Sequence, residues 1–123
     1  MPGVNVDNDG PGAGHGGDAK LDQIFGALSD PTRRAVLQTL IAAGATSVPA
    51  LSAALPISRQ AVAKHLQVLD EAGLIERAAA TGRTVHYRLA PQALTPAVDW
   101  VSAADAAWPS RLERLKRAAE SRA

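Results

Sequence analysis

The segment VPALSAALPISRQAVAKHLQVLDEAGL, residues 48–74, constrains the fold more than any other part of the chain. Two helical patterns meet in it with almost nothing between them. The first starts at Thr46-Ser47, tolerates Pro49 in its first turn and turns Leu51 and Leu55 inward. Pro56 ends it. Only Ile57 and Ser58 separate that stop from a second helix over 58–72, which Gly73 closes in a left-handed conformation. Two short helices joined so tightly form a helix-turn-helix.

The flanks extend this unit in both directions. Leu21, Ile24, Phe25 and Leu28 recur at i, i+3, i+4 and i+7, the stripe of an amphipathic helix. Asp30 can cap the next helix, with Pro31 at its first position, where a missing N–H costs nothing. That helix points Val36, Leu37, Leu40 and Ile41 inward and runs to Gly44. After Gly73, LIERAAATGRTVHYRLA predicts a strand over 74–78 and another over 83–89, with Thr81-Gly82 at the turn. In the second strand Val85, Tyr87 and Leu89 alternate with Thr84, His86 and Arg88, the period of a half-buried strand. A hairpin after a helix-turn-helix makes a winged helix. The expected class is mainly α with a small β-hairpin, a winged helix-turn-helix over 19–90.

Residues 1–18 hold six of the ten glycines and predict a disordered tail, because such a segment buries too little surface to offset its chain entropy. His15 within it is expected to be solvated. Residues 91–123 predict one long helix. Leu94, Val98, Val101, Asp105, Trp108, Leu112, Leu115 and Ala119 are spaced alternately by four and three, a heptad seam along which helices pack side by side. The seam outlasts the small core available to receive it, which favours pairing with a second copy over docking on the same domain. Asp105 interrupts the seam, and Pro109 cannot donate to its carbonyl, so a kink is expected there. The carboxylate can fix dimer register, pair with a base such as Arg111 of the partner subunit, or face water at the bend.

Composition narrows the chemistry. Thirteen Lys and Arg against twelve Asp and Glu give no strong overall field, so any charged function comes from local placement. The chain has no cysteine, which removes disulfides, thiol catalysis and thiolate metal sites. No apolar run approaches the roughly 20 residues of a membrane span, and no export signal opens the chain. A cytoplasmic protein is expected. The three histidines are scattered, and neither a Ser–His–acid set nor a Gly-rich phosphate loop is present, so an enzyme is not expected.

The helix over 58–72 carries the functional signal. With Val62, Leu66 and Leu69 inward, a 3.6-residue period sends Gln60, Lys64, Gln67 and Glu71 to the opposite face, with Arg59 and Ala63 on its flank. Arg and Lys read guanine, Gln reads adenine, and a small Ala can lie against a thymine methyl. Ser58 at the N-cap offers a hydroxyl and free N–H groups to a phosphate. On the hairpin, Gly82 lets the tip approach a backbone closely, and Arg83 is placed for phosphate or minor-groove contact. Arg77 and Arg88 are open between that role and simple solvation. The architecture is one that inserts a helix into a DNA groove.

Three stretches, ALSDPTRRAVLQTL, SRQAVAKHLQVLDEAGLI and TGRTVHYRLA, resemble in order and spacing the ArsR/SmtB family of winged-helix transcriptional repressors. The likeness covers roughly residues 20–115. It implies a homodimer joined by its terminal helices, whose recognition helices enter successive major grooves of a palindromic operator. Ser58, Gln60 and His65 match the family's recognition-helix pattern, whereas Ala63 stands where many members have Ser. His65 also lies beside the inward stripe, where it can pack at the helix flank with its ring against a phosphate. The family's metal sites do not transfer. VPALSAAL replaces the Cys-rich run, and the terminal helix offers only Asp99 and Asp105 along the seam, with no His. The two Trp residues and the RLERLK ending are similar to a metal-independent branch. No cofactor or metal is expected, and the sequence names no effector. A protein-interaction module, or a regulator with an effector site at the dimer seam, is the alternative.

Overall fold

The computed structural model describes residues 13–78 and 82–122. Its elements follow as α1 Ala13–Ala27, α2 Pro31–Ala43, α3 Val48–Ala54, α4 Arg59–Glu71, β1 Ile75–Ala78, β2 His86–Leu89 and α5 Thr95–Arg122. This is the expected winged helix-turn-helix, mostly helical with one antiparallel hairpin.

The ends of α2, α3 and α4 are fixed by local devices. The Asp30 carboxylate accepts from Thr32 N at 2.9 Å and caps α2, with Pro31 as its first residue. The Ser47 and Ser58 hydroxyls accept from Ala50 N and Ala61 N at 3.3 and 3.1 Å, capping α3 and α4. These bonds satisfy N–H groups that a helix start leaves without partners. The last turn of α4 closes with Gly73 N donating to Asp70 O and Leu74 N to Leu69 O, both at 2.9 Å. Gly73 has φ +75°, the left-handed residue this closure demands. Arginines of α2 hold the end of α1: Arg33 Nε donates to Ala27 O and an Arg34 guanidinium N–H to Leu28 O, each at 2.6 Å.

One apolar core joins these pieces. Ile24, Val36, Leu40, Leu51, Val62, Leu69 and Leu74 are fully buried, one or more from each of α1 to α4 and one from the start of the hairpin. Burying a side chain of this size is worth about 1.5–3 kcal/mol each, so the helices gain more from packing than from intrinsic propensity. The hairpin pairs Ile75 with Leu89, Glu76 with Arg88, Arg77 with Tyr87 and Ala78 with His86. A further bridge ties it to the α2–α3 connection. Thr46 N donates to Tyr87 O at 2.9 Å, and Tyr87 N to Thr46 O at 2.7 Å. Ala93, two residues before α5, and Ala97 in its first turn close the core.

Several boundaries differ from expectation. Helix α1 begins at Ala13, so residues 13–18 of the expected tail are helical, while residues 1–12 lie outside the described residues. Once a helix is nucleated, each added residue gains a hydrogen bond, and the stretch extends despite its glycines. Ile41 was expected inward but is exposed, because it sits in the last turn of α2, about 40° beyond Leu37. Phe25 is also partly exposed and meets Trp100 of α5 edge-to-face, with ring centroids 5.7 Å apart. The second strand begins at His86 rather than at residue 83. The last pair of the ladder is Ala78–His86, so Val85 falls beyond it and is exposed. Of the expected turn pair, Thr81 lies outside the described residues, and Gly82 adopts φ +74°.

Candidate nucleic-acid interface

Helix α4 is held from behind. Val62, Leu66 and Leu69 are buried, which fixes both its rotation and its depth. The opposite face follows directly: Arg59, Gln60, Ala63, Lys64, Gln67 and Glu71 are all exposed. Gln67 Nε2 donates weakly to Glu71 Oε2 at 3.4 Å, leaving its amide oxygen open. Ser58 is exposed at the helix start, its hydroxyl engaged with Ala61 N. Arg83, just past Gly82 on the hairpin, is exposed as well. Among the described residues, Arg59, Lys64 and Arg83 form no ion pair. Their charge therefore faces outward unanswered.

His65 does not join this set. Its ring is largely covered and turned toward the start of α2, with Nδ1 3.5 Å from an Arg33 guanidinium nitrogen and 3.9 Å from Asp30 Oδ2. A position one residue past Lys64 lies 100° round the helix, and there α2 and its capping residue supply the two neighbours. Arg33 thus touches the end of α1, the cap of α2 and the flank of α4 at once. Sequence reading missed this node because Arg33 and His65 stand 32 residues apart. Thr46 was missed for the same reason, since its link to the hairpin is carried by backbone groups.

The seam of α5 is bare in the single chain. Leu94 packs against the core, but Val98, Val101, Trp108, Leu112 and Leu115 are exposed, as is Asp105. Helix α5 is continuous through Pro109. An apolar hollow of about 350 Å³ between α1 and α5 is lined by Phe25, Leu28, Leu94, Ala97, Val98 and Val101. Among the described residues no group of three or more His, Cys, Asp or Glu could hold a metal ion. No described helix is long and apolar enough to cross a membrane.

This architecture is similar to known proteins. Residues 28–78 match a family model described as a helix-turn-helix domain. The HTH-type transcriptional regulator Rv2034 of Mycobacterium tuberculosis is 45% identical over 74 residues, 59% of this chain. The match spans 66% of Rv2034, just under two thirds of its length. The arsenical resistance operon repressor of Escherichia coli is 34% identical over 95 residues, covering 76% of this chain and 77% of the repressor. Among solved structures, an ArsR-like transcriptional regulator from Rhodococcus sp. RHA1 superposes with a TM-score of 0.71 at 37% identity. That match covers 83% of this chain and 94% of the regulator.

Proposed function

Because the chain belongs to the ArsR family of winged helix-turn-helix transcriptional regulators, we propose that it is a homodimeric, sequence-specific DNA-binding repressor. One observation carries this reading. A helix locked by three buried apolar residues offers Arg59, Gln60, Ala63, Lys64 and Gln67 on a single open face. Helix α4 lies in the major groove, where these side chains reach base edges and Ser58 meets a phosphate at the helix start. His65 supports the interface from behind rather than reading bases. Arg83 of the wing contacts the flanking backbone.

The dimer forms along α5. Val98, Val101, Trp108, Leu112 and Leu115 of each copy cover one another, and Leu94 and Asp105 lie on the same seam. Two-fold symmetry then calls for a palindromic operator with half-sites one helical turn apart, about 34–36 Å. Such a protein works where the DNA is, in the cytoplasm, and needs no cofactor for binding.

The test is fluorescence anisotropy on duplex DNA from upstream of the gene against a scrambled duplex, at several salt concentrations. A preference of about 10³-fold or more with a steep salt dependence is expected. Replacing Gln60 and Lys64 together by Ala should abolish that preference while sedimentation still finds a dimer. Unchanged binding by this variant would remove α4 from the role given to it.

A further inference from the structure

The hairpin carries Arg77 and Arg88 only one pair apart, and the strand register separates them. Residues directly opposite each other in an antiparallel pair share one face of the sheet. Glu76 stands opposite Arg88, and Arg88 Nε donates to Glu76 Oε2 at 2.7 Å, so that charge is answered within the hairpin. Arg77 stands opposite Tyr87 on the other face, the one directed at the core. It is exposed and makes no ion pair among the described residues.

On that face a groove of about 230 Å³ runs between the hairpin and α4, lined by Ala63, Gln67, Asp70, Arg77 and Tyr87. Ala63 and Gln67 also belong to the open face of α4, so the groove adjoins the surface proposed to meet DNA. Three different donors line it: a guanidinium, a carboxamide and a phenol. The Tyr87 hydroxyl has no hydrogen bond among the described residues. Ala63 contributes only a methyl group and leaves room. Asp70, the one carboxylate, lies three residues beyond Gln67, about 4.5 Å further along the helix, at the end away from Ala63. The Gln67 amide donates one hydrogen weakly to Glu71 at 3.4 Å and keeps its second, while Arg77 and the Tyr87 hydroxyl have no carboxylate partner among the described residues. This donor set suits an anion of phosphate size.

We infer that this groove seats a backbone phosphate of the DNA, with Arg77 supplying the charge and Tyr87 and Gln67 supplying hydrogen bonds, and that Arg88 takes no part in binding. The inference rests on the DNA-binding reading above and adds a contact at the base of the wing.

The experiment uses the full chain to enrich duplexes from a random-sequence pool. Affinity for an enriched duplex and for a scrambled one is then measured between 50 and 200 mM salt, values on the order of those over which phosphate contacts are usually resolved. Arg77→Ala should weaken both duplexes by a similar factor, about tenfold, and make the salt slope shallower by about 1. Arg77→Lys should keep the slope. Tyr87→Phe should lose a few-fold in affinity with the slope unchanged, and Arg88→Ala should stay within about twofold of the parent. Circular-dichroism melts establish that each variant is folded. Parental affinity and slope in Arg77→Ala, with binding still lost in the Gln60 and Lys64 variant, would overturn the groove and leave the DNA reading standing. Enrichment of no sequence by the parent chain would overturn both.

Discussion

Truncating Leu115 to Ala tests the seam of α5 where it is most open. Leu115 is 63% exposed in the single chain, so nearly two thirds of its surface remains for a partner to cover. Full burial of a leucine is worth about 1.5–3 kcal/mol, which leaves about 1–2 kcal/mol for the partner contact. Ala retains a small part of that area, and the net loss is about 1 kcal/mol per chain. A two-fold axis presents the same residue twice, so one substitution costs the dimer about 2 kcal/mol. At 1.4 kcal/mol per factor of ten, the dimer dissociation constant should rise about 30-fold. Sedimentation equilibrium across a dilution series measures it. The stability of the separated chain should barely change, because Leu115 lies outside its core and Ala is at least as good a helix former. An unchanged dissociation constant would refute the seam. So would a Leu115→Ala chain that loses stability as a monomer, since that would mean the helix folds back on its own domain.

Two further changes probe the support of α4. Leu69→Ala removes a fully buried side chain at the junction of α4 and the hairpin and should cost about 2–5 kcal/mol in urea unfolding, enough to leave a small domain barely folded. Ser58→Ala removes the acceptor 3.1 Å from Ala61 N and should cost about 1 kcal/mol of stability. It should also weaken DNA binding measured by anisotropy well below the melting temperature, because the same helix start is proposed to meet a phosphate; loss of stability with full affinity would confine Ser58 to capping.

The parts of this molecule written in local patterns were legible from sequence. The α4 helix is the clearest case: a capping serine, a buried stripe at i, i+4 and i+7, and a glycine at the closing turn all act within one or two turns of the chain. The same holds for Asp30-Pro31 at the start of α2. What escaped depends on distant neighbours. Periodicity places Ile41 on the inner stripe of α2, but the core ends before it. Alternation places Val85 in a strand, but the opposite strand stops at Ala78. The flank position of His65 was open from the helical period, but its neighbours Asp30 and Arg33, 35 and 32 residues away, were not. Arg77 and Arg88 look alike in sequence, and only the pairing of the two strands gives one a carboxylate and the other a groove.

The bridge between Thr46 and Tyr87 has a mechanical consequence. Two backbone hydrogen bonds, one of them 2.7 Å, fasten the wing to the connection that leads into α3, and α3 packs directly against α4. Thr46 is buried, so water does not compete for these bonds. Wing and recognition helix are therefore the two jaws of a caliper with a locked joint. Their gap is set when the chain folds rather than when a duplex arrives, so little ordering entropy is left to spend at the encounter. On the proposed DNA-binding reading, a duplex that is too wide or too narrow for that gap would have to deform itself, and sequences that deform easily would be favoured even at base pairs that no side chain touches.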